Sequence, residues 1–70
     1  MSYQISYTPL FVALARRNLT INALKDAGII SQATQAKLRK SERINLDSVA
    51  KICVYLGVPI EEVVEVVPEP

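Results

Sequence analysis

Apolar and polar residues alternate with period two through Tyr3-Gln4-Ile5-Ser6-Tyr7, which puts Tyr3, Ile5 and Tyr7 on one face of a short strand. The period then lengthens. Thr8 before Pro9 reads as a helix N-cap with proline at the first helical position, where its missing N–H is not needed. Leu10, Leu14 and the closing Arg16 and Arg17 complete a first helix over Pro9 to Arg17. Asn18 tolerates the left-handed conformation that ends helices, Leu19 is a buried connector, and Thr20 caps a second helix from Ile21 to Ala27, which Gly28 stops. Ile29 and Ile30 lead through a short turn to Ser31, the cap of a third helix from Gln32 to Lys40. Its inward side must include Leu38 and the position one turn earlier, at Thr34 or Gln35.

After the loop Ser41-Glu42-Arg43-Ile44, Asn45 caps a fourth helix in which Val49, Ile52, Cys53 and Leu56 follow the i, i+3, i+4, i+7 spacing of one buried stripe. Gly57 ends it. Pro59, Glu61 and Glu62 start a fifth helix of one to two turns, with Val63 and Val64 facing inward. The β-branched Glu65-Val66-Val67-Pro68 reads as a second strand, for which the N-terminal strand is the available partner. The predicted fold is therefore mainly α: five short helices and a two-stranded ribbon from the terminal segments, in one domain over residues 1–70. Such a ribbon leaves an open edge, so it must pack on the helices and could also pair across a dimer axis.

Composition narrows what such a chain can do. Seventy residues support one core and roughly 3–5 kcal/mol of net stability, so a partner subunit would help. The longest apolar run, Leu10 to Ala15, falls far short of the roughly 20 residues that span a bilayer, and no leader pattern opens the chain. A soluble, cytoplasmic protein without membrane contact is expected. With no histidine and Cys53 as the one cysteine, no internal disulfide, Cys/His metal site, Ser-His pair or Cys-His pair can assemble. Asp26, Glu42, Asp47 and the acids from Glu61 onward form no recognisable catalytic carboxylate pair. No enzyme, metal, cofactor or small-molecule substrate is expected.

The net charge of +1 conceals an uneven distribution. Residues 1–45 hold seven Lys/Arg against Asp26 and Glu42, whereas residues 46–70 hold Lys51 against five acids. The basic half also contains the two short helices joined by a turn, the second capped by serine and led by polar residues. That is helix-turn-helix geometry, in which one helix keeps its core contacts on one side and presents hydrogen-bonding side chains to the DNA major groove on the other.

The segment Leu24 to Leu38 resembles the motif of lambda-repressor-like (Cro/repressor-type) regulators, and the likeness continues through Lys40-Ser41-Glu42, Asn45-Leu46, Ile52-Cys53 and Leu56-Gly57. It is similar to very small members that begin with a strand running into Tyr7-Thr8-Pro9-Leu10 and end in acidic, valine-rich residues such as Pro59 to Val64. The resemblance implies a sequence-specific double-stranded DNA-binding regulator, a homodimeric repressor of bacterial or phage origin; the open ribbon edge makes the terminal strands one candidate dimer contact. It places Gln32, Ala33, Ala36 and Lys37 toward the bases. Thr20, Ser41 and Arg43 fall at phosphate-contacting positions, and Arg16, Arg17, Lys25, Arg39 and Lys40 are further phosphate candidates. The chemistry is compatible: glutamine pairs with adenine, lysine with guanine acceptors, and alanine methyls meet the thymine methyl.

The sequence departs from the family pattern at three positions. Glycine usually stands where this chain has Ile29 and Ser41, and a buried Ile or Leu where it has Gln35. Either the helix rotates to bring Thr34 inward and Gln35 toward the DNA, or Gln35 bonds to the backbone of the second helix. The rotation is the favoured alternative, and it adds Gln35 to the base-facing set. Gln35 and Ser41 also motivate a rival reading, a protein-interaction module of antirepressor or antitoxin type on the same scaffold.

Overall fold

The computed structural model describes residues 2–69. In chain order it contains β1 (Ser2–Ser6), α1 (Thr8–Arg16), α2 (Ile21–Asp26), α3 (Gln32–Arg39), α4 (Leu46–Leu56), a 3-10 turn (Ile60–Glu62) and β2 (Glu65–Glu69). The strands pair antiparallel, with Ser2 opposite Glu69 and Ser6 opposite Glu65, so the ribbon ties the two terminal segments together as the period-two patterns predict.

Behind the helices lies one apolar cluster. Leu10 and Leu14 of α1, Leu24 of α2, Leu38 of α3, Ile52 of α4 and Val63 fill its centre, with Tyr7, Ile21, Ile30, Val49 and Leu56 around them. Cys53 sits half-buried at its margin, and burial raises its thiol pKa, which keeps it a packing residue rather than a nucleophile.

All four α-helices end in the same way. A residue with positive φ follows each (Asn18 at 55°, Gly28 at 76°, Ser41 at 57°, Gly57 at 68°). The next N–H then reaches back five residues: Leu19 to Leu14, Ile29 to Leu24, Glu42 to Lys37 and Val58 to Cys53, at 2.8–3.0 Å. This closure satisfies carbonyls that the helix leaves free and tucks an apolar residue under the helix end in three of the four cases. The chain's two glycines occupy two of these left-handed positions, and Asn18 tolerates the third.

Ser41 is the residue least suited to its backbone conformation. Ser41→Gly should therefore raise stability, with relief of the left-handed strain partly offset by greater freedom of the unfolded chain. A net gain of about 0.5 kcal/mol corresponds to a thermal midpoint higher by about 2–4 °C in a domain of this size. A lower midpoint in a thermal melt would show that the serine hydroxyl supplies more than its backbone costs.

The structure corrects the predicted elements in several places. There are four α-helices among the described residues, not five. After Pro59 the chain completes a single 3-10 turn, because Val63 is drawn fully into the core and the β-branched residues beyond it enter β2. The first helix starts at Thr8, with Tyr7 in the cap position and no side-chain cap. Thr8 instead shares a 2.9 Å hydroxyl–hydroxyl bond with Ser6. Thr20 has the extended cap backbone but its hydroxyl accepts no capping bond, whereas Ser31 and Asn45 cap as expected, from Thr34 N–H and Ser48 N–H.

Candidate nucleic-acid interface

The second and third helices form a rigid unit because each is anchored from behind. Ile21 and Leu24 hold α2 to the core, Leu38 holds α3, and Ile30 fills the turn between them. At about 100° per residue, burial of Leu38 leaves an opposite arc on α3 made of Gln32, Ala33, Ala36, Lys37 and Lys40, with Arg39 at its edge. All six are exposed. The arc is polar but nearly flat at Ala33 and Ala36, so a surface can approach the helix closely there.

Gln35 is not part of that arc. It is only 6% exposed, and its Nε2 donates to Oδ1 of Asn22 in the first turn of α2. The rotation expected from sequence does not occur, for two reasons. Asn22 of α2 offers the inward-turned Gln35 amide a partner, which Thr34 in that place would not reach. Ser31 also holds Thr34 at the rim, accepting from its N–H at 3.1 Å and donating to its hydroxyl at 3.1 Å. The partner is a side chain of α2 rather than its backbone. Among the described residues no buried side-chain polar atom lacks a partner, so the buried amide is satisfied. Gln35 leaves the base-facing set.

Beyond the C-terminal end of α3 the exposed arc continues into a groove of about 730 Å³, with Lys37, Lys40 and Arg43 on one side and Tyr3, Gln4 and Ile5 of β1 on the other. Ser41 and Glu42 complete its lining. Two hydrogen bonds fix this arrangement. The Tyr7 hydroxyl donates to the Glu42 carbonyl at 2.7 Å, and Arg43 Nη2 donates to the Tyr3 hydroxyl at 3.3 Å. Burial raises the Tyr7 phenol's pKa, so it remains a neutral donor throughout the physiological range.

The other cations are more dispersed. Arg17 spans the ends of two helices, donating to the carbonyls of Ala13 at 2.9 Å and Leu56 at 3.3 Å. This gives it a structural task that the sequence reading did not assign. Arg16 is exposed at the end of α1, Lys25 is half-buried in the last turn of α2, and Thr20 is exposed at the start of α2. Among the described residues the one ion pair joins Lys51 to Asp47 at 3.3 Å on α4. None of the seven cations of residues 1–45 is therefore paired with a carboxylate among the described residues.

Three contributors escaped the sequence reading: Asn22, Tyr3 and Gln4. Asn22 is an ordinary first-turn polar residue until the crossing of α2 and α3 brings it to Gln35, and no local pattern encodes that crossing. Tyr3 and Gln4 carried a strand signal alone. Among the described residues no group of His, Cys, Asp or Glu could hold a metal ion, and no helix is long and apolar enough to cross a membrane.

Comparison with known proteins matches this geometry to one family description. Residues 10–69 match the Cro/C1-type HTH DNA-binding domain. The fold superposes on the crystal structure of transcriptional regulator VanUg (form II) with a TM-score of 0.91 and 32% sequence identity, over 99% of this chain and 92% of that one. No curated protein sequence matches.

Proposed function

Because the chain belongs to the Cro/C1-type helix-turn-helix DNA-binding family, we propose that it is a sequence-specific regulator of transcription that acts on double-stranded DNA as a homodimeric repressor of bacterial or phage origin in the cytoplasm. One observation carries this reading: α3 is pinned from behind by Leu38 and Gln35, and its opposite arc is polar, exposed and bordered by cations that pair with no carboxylate among the described residues. A duplex phosphate lattice supplies the missing anions.

In this reading residues 1–70 act as one module, and α3 lies in the major groove. Gln32, at its N-terminal end, pairs with adenine N6 and N7, and Lys37 donates to guanine O6 or N7. The Ala33 and Ala36 methyls meet thymine methyls. Thr20, Lys25, Arg39, Lys40, Ser41 and Arg43 contact phosphates and set the register, with Arg16 at the periphery. Arg17 contributes to the scaffold, through the helix ends it joins. Neither a catalytic step nor a cofactor enters this account.

A single module of this size has little contact area, so useful specificity calls for two copies on half-sites about one helical turn apart. The terminal ribbon offers the contact. β2 is exposed along its length, its outer edge pairs with no other strand among the described residues, and Val66 and Val67 add apolar surface. The rival reading as a protein-interaction module loses part of its motivation, since Gln35 is satisfied within the fold.

The test is titration of the chain with duplex DNA at rising salt. With about four phosphates neutralised, log K should fall against log salt with a slope of about −3.6, a loss of about 100-fold between 50 and 200 mM. Absence of any complex at the lower salt would overturn the proposal.

A further inference from the structure

Resting on that reading, we infer that the groove between β1 and the end of α3 is a second nucleic-acid contact, a seat for the sugar–phosphate backbone flanking the base-read segment, in which Tyr3 and Gln4 of β1 are binding residues. Three observations converge on it. The first is charge: Lys37, Lys40 and Arg43 face the groove against Glu42 alone, leaving a surplus of two positive charges in about 730 Å³. Among the described residues none of the three cations is ion-paired.

The second is donor geometry. The groove follows the edge of β1 that faces away from β2, since among the described residues none from β2 lines it. In a two-stranded ribbon every other residue of a strand turns its N–H outward, and such amides are suited to phosphate oxygens. The exposed Gln4 amide and the Tyr3 hydroxyl add side-chain donors beside them. The third is rigidity. The Tyr7 bond to Glu42, just past the end of β1, and the exposed Arg43 bond to Tyr3 tie this end of the chain to the loop that follows α3, which restricts both walls before a ligand arrives. Anionic, extended and narrow, a phosphodiester strand leaving the major groove alongside α3 fits this site. Among the described residues nothing pairs with the outer edge of β2, which leaves it to a second copy.

Gln4 is exposed and is not a member of the apolar cluster, so its charge can be changed with little expected effect on the fold. Binding of a selected duplex and phosphate-ethylation interference should be compared for wild type, Gln4→Lys and Gln4→Glu, with thermal melts of all three. Gln4→Lys should steepen the salt slope by about 0.9 and tighten binding, and Gln4→Glu should weaken it about tenfold, each without altering sequence preference. Tyr3→Phe should cost about fivefold, the loss of one hydrogen bond. Ethylation should interfere at backbone positions flanking the base-read segment in wild type, and Gln4→Glu should relieve that interference. If wild type binds and the variants show the same affinity, slope and interference pattern, the groove is no part of the interface although the regulator reading stands. If wild type forms no complex, both fail together.

Discussion

Replacing Gln32 and Lys37 together by alanine is expected to erase most of the preference for one duplex sequence over another while leaving a salt-sensitive, sequence-blind affinity. Both side chains stand on the exposed arc of α3 and neither belongs to the apolar cluster, so the variant should melt close to wild type. Each well-placed side-chain-to-base contact is worth about 1–3 kcal/mol of discrimination. Removing two should reduce the ratio of specific to random binding by about 30-fold or more per module. The phosphate contacts from Lys40, Ser41 and Arg43 are untouched, so residual binding should keep much of its salt slope. Selection from a randomised duplex pool, followed by competition assays, measures both quantities. An unchanged preference would remove these two residues from the reading set and move specificity elsewhere on the surface.

Leu38→Ala should unfold much of the population. Leu38 is completely buried on the inner side of α3, and truncating such a leucine costs about 2–5 kcal/mol through lost transfer energy and the cavity left behind. A domain of this size has only roughly 3–5 kcal/mol to lose. Far-UV circular dichroism should show a large loss of helix near physiological temperature. A saturating duplex should restore part of it, because ligand at about 100 times Kd adds about 2.7 kcal/mol to the folded state. A variant that stays fully helical and melts like wild type would contradict the view that α3 is held in place from behind.

Local rules carried much of the architecture. Ser31, Asn45, Asn18 and Gly57 each marked a helix boundary that the structure retains, since caps and left-handed ends depend on neighbouring atoms alone. The two terminal strands were legible because the alternation in Tyr3 to Tyr7 and the valines near the C-terminus had no other partner. The fifth helix was misread. Pro59 and the acids after it favour a helix start, yet burial of Val63 and pairing of β2 halt it after one turn.

At the site, the polar arc of α3 could be read from spacing once Leu38 was placed inside. The position of Gln35 could not, because either of two adjacent residues satisfies the helical period. The choice was made by Asn22, thirteen residues away. Arg17 shows the same limit: a terminal arginine reads as a free cation until its reach to the end of α4 is known. The Tyr7 hydroxyl likewise finds the Glu42 carbonyl thirty-five residues on.

The central claim is that the outward arc of α3 enters the major groove of a duplex. It is tested most directly by following backbone amide resonances of the isotope-labelled chain during titration with a selected duplex. The largest shifts should fall on Gln32, Ala33, Ala36 and Lys37, with smaller ones at Thr20, Ser41 and Arg43 and almost none at Val54 on the outer side of α4. Saturable binding that leaves the α3 resonances in place would contradict the claim.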